Sequence, residues 1–176
     1  MTTLDEHLMR APADICFQVA ADVERWPVIL SHYRFVRVLD RNGPSRARVE
    51  MAAWRDFGGP LRYPTRWTSE MRLDPRRPLI TYRHVAGITR GMYVRWEFHP
   101  EGDATRVRIT HAWDGPRWPL IGGFAWRRII APHFVSAIAR RTLAGVAAEA
   151  ERLARDNARA PRADSTLAPS TPTLQP

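Results

Sequence analysis

The chain has 176 residues, 44% hydrophobic and 26% charged, the composition of one globular domain with a single sizeable core. Basic residues outnumber acidic ones 27 to 18, a net charge of +9, and every one is an arginine, a bias that GC-rich coding explains as readily as nucleic-acid binding. Cys16 is the one cysteine, which excludes an internal disulfide framework and a thiolate zinc site. The opening Met1-Thr2-Thr3-Leu4-Asp5-Glu6 has no apolar signal-like run. The longest uncharged stretch in the body, Ile129 to Ala139, contains Pro132 and His133 and is too short to span a bilayer. The expectation is a cytoplasmic protein without a membrane span, monomeric or homodimeric.

In chain order, Thr3 to Met9 alternates weakly and reads as a short strand. Pro12 is tolerated in a first helical turn, Ala13 to Ala21 reads as helix, and a second short helical piece follows over Val23 to Leu30, interrupted by Pro27. From Tyr33 onward strand follows strand. The breaks are Asn42-Gly43-Pro44, Phe57-Gly58-Gly59-Pro60, Asp74 to Pro78, Gly87 to Gly91 and Glu101-Gly102-Asp103.

Residue parity within these strands is the clearest signal, because successive strand side chains point to opposite faces. Ala47, Val49, Met51 and Ala53 share one face, as do Trp67, Ser69, Met71 and Leu73. So do Met92, Val94, Trp96 and Phe98, and then Val107, Ile109, His111 and Trp113. One apolar and one charged face predict an antiparallel sheet, wet on one side. A helix from Pro132 to about Asp156, with Val135, Ile138, Ala139, Leu143, Val146, Ala150 and Leu153 at helical spacing, would cover the other. The fold class is therefore α+β, a curved antiparallel sheet around a long C-terminal helix, with room for an elongated pocket between them. Residues 1–156 form this domain. Residues 157–176, rich in Pro, Ala, Ser and Thr, read as a disordered tail.

On the wet parity Arg46, Arg48, Arg66, Arg72, Arg95, Arg106 and Arg108 interleave with Glu50, Glu70 and Glu97, the pattern of cross-strand ion pairing rather than of a specific nucleic-acid reader. The inward parity carries more than hydrocarbon: Trp67, Ser69, Tyr82, His84, Trp96, His111 and Trp113, with Tyr33 joining at the start of its strand. Indole, phenol and imidazole groups need partners when buried, so these residues are either a bulky core or the wall of an orienting pocket. A metal site is not expected, since the six histidines show no ligand spacing and no inward carboxylate accompanies them. No phosphate-binding or dinucleotide motif occurs. The Gly/Pro-rich stretch Gly115 to Trp126 reads as a packed connector, a flap over a pocket mouth or a membrane-touching patch.

Several segments resemble the START-like helix-grip superfamily, and within it the bacterial polyketide aromatase/cyclases. They are Ala11-Pro12-Ala13-Asp14, Ala21-Asp22-Val23 through Trp26-Pro27, Trp67-Thr68-Ser69-Glu70-Met71-Arg72-Leu73-Asp74-Pro75, Tyr82-Arg83-His84, Trp96-Glu97-Phe98, Thr110-His111-Ala112-Trp113 and Glu149-Ala150-Glu151. The resemblance implies an interior pocket that folds a poly-β-ketone for aldol cyclisation and dehydration. It places Trp26, Tyr33, Trp67 and Ser69 at pocket positions and His111 at an acid/base position. The pocket arginine of relatives falls on Met71, and their helix aspartate on Thr142.

Two functions follow as expectations. The first is a cofactor-independent cyclase/dehydratase, with His111 and Tyr33 catalytic and Trp26, Trp67, Ser69, Met71, Tyr82, His84, Trp96 and Trp113 binding a polyketide-like or aromatic substrate, delivered in one version by an acyl carrier protein. The second is a non-catalytic carrier of a lipid, quinone or aromatic molecule.

Overall fold

A computed structural model describes residues 1–56, 62–115 and 131–159. The elements are β1 (Thr2–Met9), α1 (Ala13–Ala21), a 3-10 turn (Val23–Arg25), α2 (Trp26–Ile29), β2 (Tyr33–Arg41), β3 (Arg46–Asp56), β4 (Arg62–Asp74), β5 (Leu79–Gly87), β6 (Tyr93–Glu101), β7 (Ala104–Ala112) and α3 (Ala131–Arg159). Pro12 stands just before α1, and Pro27 lies in the first turn of α2, where neither needs an amide hydrogen.

The strands make one seven-stranded antiparallel sheet in the order β1-β7-β6-β5-β4-β3-β2. From β2 to β7 each strand pairs with its successor. β1 and β2, consecutive in the chain, form the two edges, so α1 and α2 bridge the width of the sheet. Register shifts in the β2–β3 and β4–β5 ladders add local twist and help the sheet curl.

Helix α3 lies in the concavity and buries Val135, Ala139, Leu143, Val146 and Ala150 of the stripe anticipated from helical spacing, together with Ala147, while Ile138 and Leu153 of that stripe are half-buried. Gly145 lets the helix approach α2: a Cβ there would stand 2.2 Å from Leu30 Cδ2. This is the α+β architecture expected from the strand parity and the helical stripe, and the helix-grip arrangement that the resemblance implies. α3 continues through Arg159, so residues 157–159, expected to begin the tail, extend the helix instead. Ala158 and Arg159 are good helix formers and need no packing to prolong an existing helix. The rest of the expected tail, 160–176, lies outside the described residues, as does the connector from residue 116 to 126.

The outer face is charged and paired. Glu6 accepts hydrogen bonds from Arg106 and Arg108, Glu101 accepts from Arg106 at 2.6 Å, Arg95 pairs with Glu97, and Arg66 Nε donates to Glu50 at 2.8 Å. No helix among the described residues is long and apolar enough to cross a membrane.

Candidate functional site

Between the concave face and the first half of α3 is a cavity of about 590 Å³, counting the space at its mouth. The sheet supplies Tyr33, Met51, Trp67, Tyr82, His84, Val94, Trp96, Ile109 and His111; the β5–β6 turn adds Thr89 and Met92. Trp26 comes from α2, and Val135, Ile138, Ala139 and Thr142 come from α3. Among the described residues no side chain with a fixed charge is in this wall, although the chain carries +9.

Trp26 is the hub of the aromatic wall. Its ring centroid lies 5.1 Å from Tyr33, 5.8 Å from Trp96 and 6.5 Å from Tyr82. Tyr33 meets Trp67 edge-on at 6.2 Å, and Trp67 stacks on His84 at 5.9 Å with the planes 19° apart. Such offset and edge-to-face contacts each add about 0.5–1.5 kcal/mol beyond burial and hold the rings in place. The stack depends on Gly87. Its φ is +89°, and a Cβ there would come within 2.2 Å of Arg66 O and 2.6 Å of the Trp67 Cα. Only glycine allows β5 to pass so close to Trp67 beside the bulge at Thr68/Ser69.

Sheet register places the polar heads. Tyr82 pairs with Val94, and Val94 with His111, so the phenol and the imidazole stand on one rung two strands apart, roughly 9–10 Å between backbones. His84 sits on the next rung, opposite Ser69. Each of three buried histidines has a threonine beside it. His84 Nδ1 is 2.6 Å from Thr89 Oγ1, His111 Nδ1 is 3.4 Å from Thr3 Oγ1, and His32 Nε2 is 3.0 Å from Thr142 Oγ1. These are neutral partners, so no carboxylate fixes the imidazoles' charge through these contacts. Among the described residues no group of three His, Cys, Asp or Glu side chains comes together as a metal site.

Burial, with Tyr33 nearby, pushes the Tyr82 phenol well above its ordinary pKa, so it stays a neutral donor. Its hydroxyl and Trp26 Nε1 are both buried without a hydrogen-bond partner. Cys16 is inert by contrast: burial raises its thiol to about 11, and its Sγ lies 3.6 Å from the Ala11 carbonyl oxygen.

Of the residues singled out from the sequence, Trp26, Tyr33, Trp67, Tyr82, His84, Trp96 and His111 come together around the cavity. Ser69, Met71 and Trp113 do not line it. Ser69 is fully buried behind the wall with its Oγ unpartnered. Met71 borders a separate small cleft with Val49, Leu73, Asp22 and Arg41. Trp113 Nε1 donates to the Arg90 carbonyl at 3.1 Å and ties the end of β7 to the β5–β6 turn. Met71 stands on the same rung as Tyr82 but one strand nearer β3, and there it opens to the small cleft rather than to the cavity.

Sequence reasoning missed His32 and Thr89. His32 precedes the strand that Tyr33 begins, where alternation does not yet apply. Thr89 lies in the Gly87–Gly91 turn, which folds inward through hydrogen bonds from Arg90 N to Gly87 O and from Gly91 N to His84 O.

Residues 9–130 match the family model described as polyketide cyclase / dehydrase and lipid transport. The chain is 35% identical over 109 residues to the actinorhodin polyketide synthase bifunctional cyclase/dehydratase of Streptomyces coelicolor, covering 60% of this chain and 33% of that protein. It therefore spans about one third of that curated relative's length. The structure of the Zhui aromatase/cyclase from a Streptomyces species superposes with a TM-score of 0.66 at 23% identity, covering 91% of this chain and 96% of that one. A START superfamily protein of Mycobacterium smegmatis gives a TM-score of 0.60 at 17% identity, over 89% of this chain and 98% of that one. At these identities the structural likeness is one of fold. The family match covers most of the chain, which belongs to the polyketide cyclase / dehydrase and lipid transport family.

Proposed function

We propose that this member of the family is a cofactor-independent cyclase/dehydratase for a neutral β-keto or polyketide-type chain. The observation that carries the reading is the cavity wall: aromatic rings held by one another, polar heads from Tyr33, Tyr82, His84, His111 and Thr142, and no fixed charge among the described residues. A flat, conjugating, uncharged molecule with several oxygens suits such a wall better than a carboxylate or a cation.

In this reading His111 takes the acidic proton from a carbon between two carbonyls. Imidazole suits the task because its unperturbed pKa lies near neutrality. The enolate carbon attacks a second carbonyl, a carbon–carbon bond forms, and the new alkoxide takes a proton back. Loss of water then gives the conjugated ring. Tyr33 and Tyr82 donate hydrogen bonds to carbonyl oxygens as charge develops on them, a role in which neutral donors replace an arginine. Where the substrate arrives tethered to an acidic carrier protein, the excess of arginine favours encounter.

The test is turnover of a linear tetraketide N-acetylcysteamine thioester, in which C2 can attack the C7 ketone to close a six-membered ring, followed by the absorbance of the aromatic product. His111→Ala should lower kcat by about 10²–10⁴-fold while ligand binding, read by tryptophan quenching, changes little. Cyclisation no faster than the uncatalysed rate in the parent protein, with tight binding retained, would instead establish a carrier.

A further inference from the structure

The sheet ends in two unlike edges. β2 carries register shifts at Tyr33/Phe35 and Val38/Asp40 and exposes Arg34, Arg37 and Arg41. Bulges and charges of this kind keep an edge from pairing with another chain. β1 is built differently: it pairs with β7 residue for residue from Thr2 to Met9 and carries no arginine and no proline. Trp113 N donates to Met1 O and Met1 N to Trp113 O, so the odd-numbered residues exchange backbone hydrogen bonds with β7. The N–H and C=O groups of Thr2, Leu4, Glu6 and Leu8 therefore point to the free edge, where no strand among the described residues pairs with them. On the outer face Leu4 and Leu8 are 59% and 42% exposed. On the inner face Asp5 is buried. Arg140 Nε stands 3.7 Å from its Oδ1, whereas its Oδ2 is buried without a hydrogen-bond partner. His7, the next residue along that face, is exposed.

We propose that β1 is a homodimer interface, pairing antiparallel with β1 of a second copy about a two-fold axis at Glu6 and joining the two sheets into one. On that axis Leu4 faces the second copy's Leu8 and Asp5 faces the second copy's His7, and symmetry makes each contact twice. The even-numbered residues exchange backbone bonds across the seam. Asp5 and His7 form the closer, non-hydrogen-bonded pair, with Cα atoms about 4.5 Å apart. The imidazole brings an N–H to the unpartnered carboxylate whether neutral or charged. Two Glu6 side chains meet on the axis, but each is already held by Arg106 and Arg108 of its own chain. An axis at Asp5 would instead oppose two buried carboxylates, and an axis at His7 would oppose Leu8 and Glu6.

Sedimentation equilibrium of the full chain from about 1 µM to about 0.2 mM tests this, and the parent should pass from monomer to dimer within that range. Leu4→Pro removes an outward N–H that β7 does not use, so the fold keeps its ladder while the seam loses two bonds. It should weaken association about tenfold or more, with the melting temperature of the dilute monomer nearly unchanged. Leu39→Lys, on the β2 edge, should leave association as it was. Under mild oxidation Glu6→Cys should cross-link to itself, and Leu4→Cys should cross-link to Leu8→Cys when the two are mixed but not alone; Cys16 is buried and does not compete. A parent that stays monomeric over the whole range overturns the proposal, as does a dimer that Leu4→Pro leaves equally tight or that Leu39→Lys dissolves. Should Leu4→Pro fail to fold, the cysteine variants decide, and the absence of a Glu6→Cys cross-link overturns the seam.

Discussion

Along β6, Val94, Trp96 and Phe98 face α3 while Tyr93, Arg95 and Glu97 face water; along β7, Val107, Ile109 and His111 face α3 while Arg106 and Arg108 face water. The same strands thus carry two chemistries. On the outer face opposed charges meet: Glu6 with Arg106 and Arg108, and Arg95 with Glu97. Such exposed pairs contribute about 0–1 kcal/mol each, because water already solvates both partners. Among the described residues the concave face has no fixed charge at its cavity, and Trp26 Nε1 and the Tyr82 hydroxyl are buried there without partners. Each unmet buried polar group costs about 1–3 kcal/mol, so this face gives up stability that the outer face does not. The stability of the fold comes from aromatic and aliphatic packing inside, and the outer charges serve mainly solubility.

The sharpest way to break this comparison is Trp26→Ala. Removing the hub of the aromatic wall should destabilise the protein by about 3–5 kcal/mol in chemical denaturation, far more than any outer-face change. A loss under about 1 kcal/mol would mean that the wall is not packed as described. Tyr82→Phe should have a smaller effect of opposite sign. Without ligand it removes an unpartnered hydroxyl, so stability should hold or rise by up to about 1–2 kcal/mol. A clear drop would show that the hydroxyl is bonded in the free protein.

The smallest effect is expected on the outer face. The hydrogen bond from Arg106 holds the Glu101 carboxyl below the usual carboxylate range. A carboxyl depressed in the folded state stabilises above its unfolded pKa, and that contribution is lost as the pH falls through the folded value. Glu101→Gln should therefore lower the melting temperature slightly at neutral pH, and the gap from the parent should close in acid. A gap that widens in acid would reverse the assignment.

Much of the site was legible because alternation alone aims side chains. Trp67, Tyr82, His84, Trp96 and His111 were all assigned to the inner face by parity, and all reach the cavity. Parity says which face, not which rung. Ser69, Met71 and Trp113 share that face and fall behind or beyond the cavity, because register and strand spacing fix position along the sheet. Thr89 and His32 lie where no period operates, in a turn and in the residue before a strand.

Local chemistry was enough to determine most of the elements: Pro12 before the first helix, glycines at the turns, and a two-residue period that makes one face apolar; Pro27, read as an interruption, instead sits in the first turn of α2. The long helix was likewise readable from its apolar stripe. The tertiary structure alone decided which polar heads share a cavity and what stands behind them. Contacts such as His32 with Thr142 and Thr3 with His111 join segments whose side chains meet only once the sheet has formed and α3 has docked. Alternation is a property of a few consecutive residues, whereas a partnership across 110 positions of sequence is set by register, bulge and helix placement together.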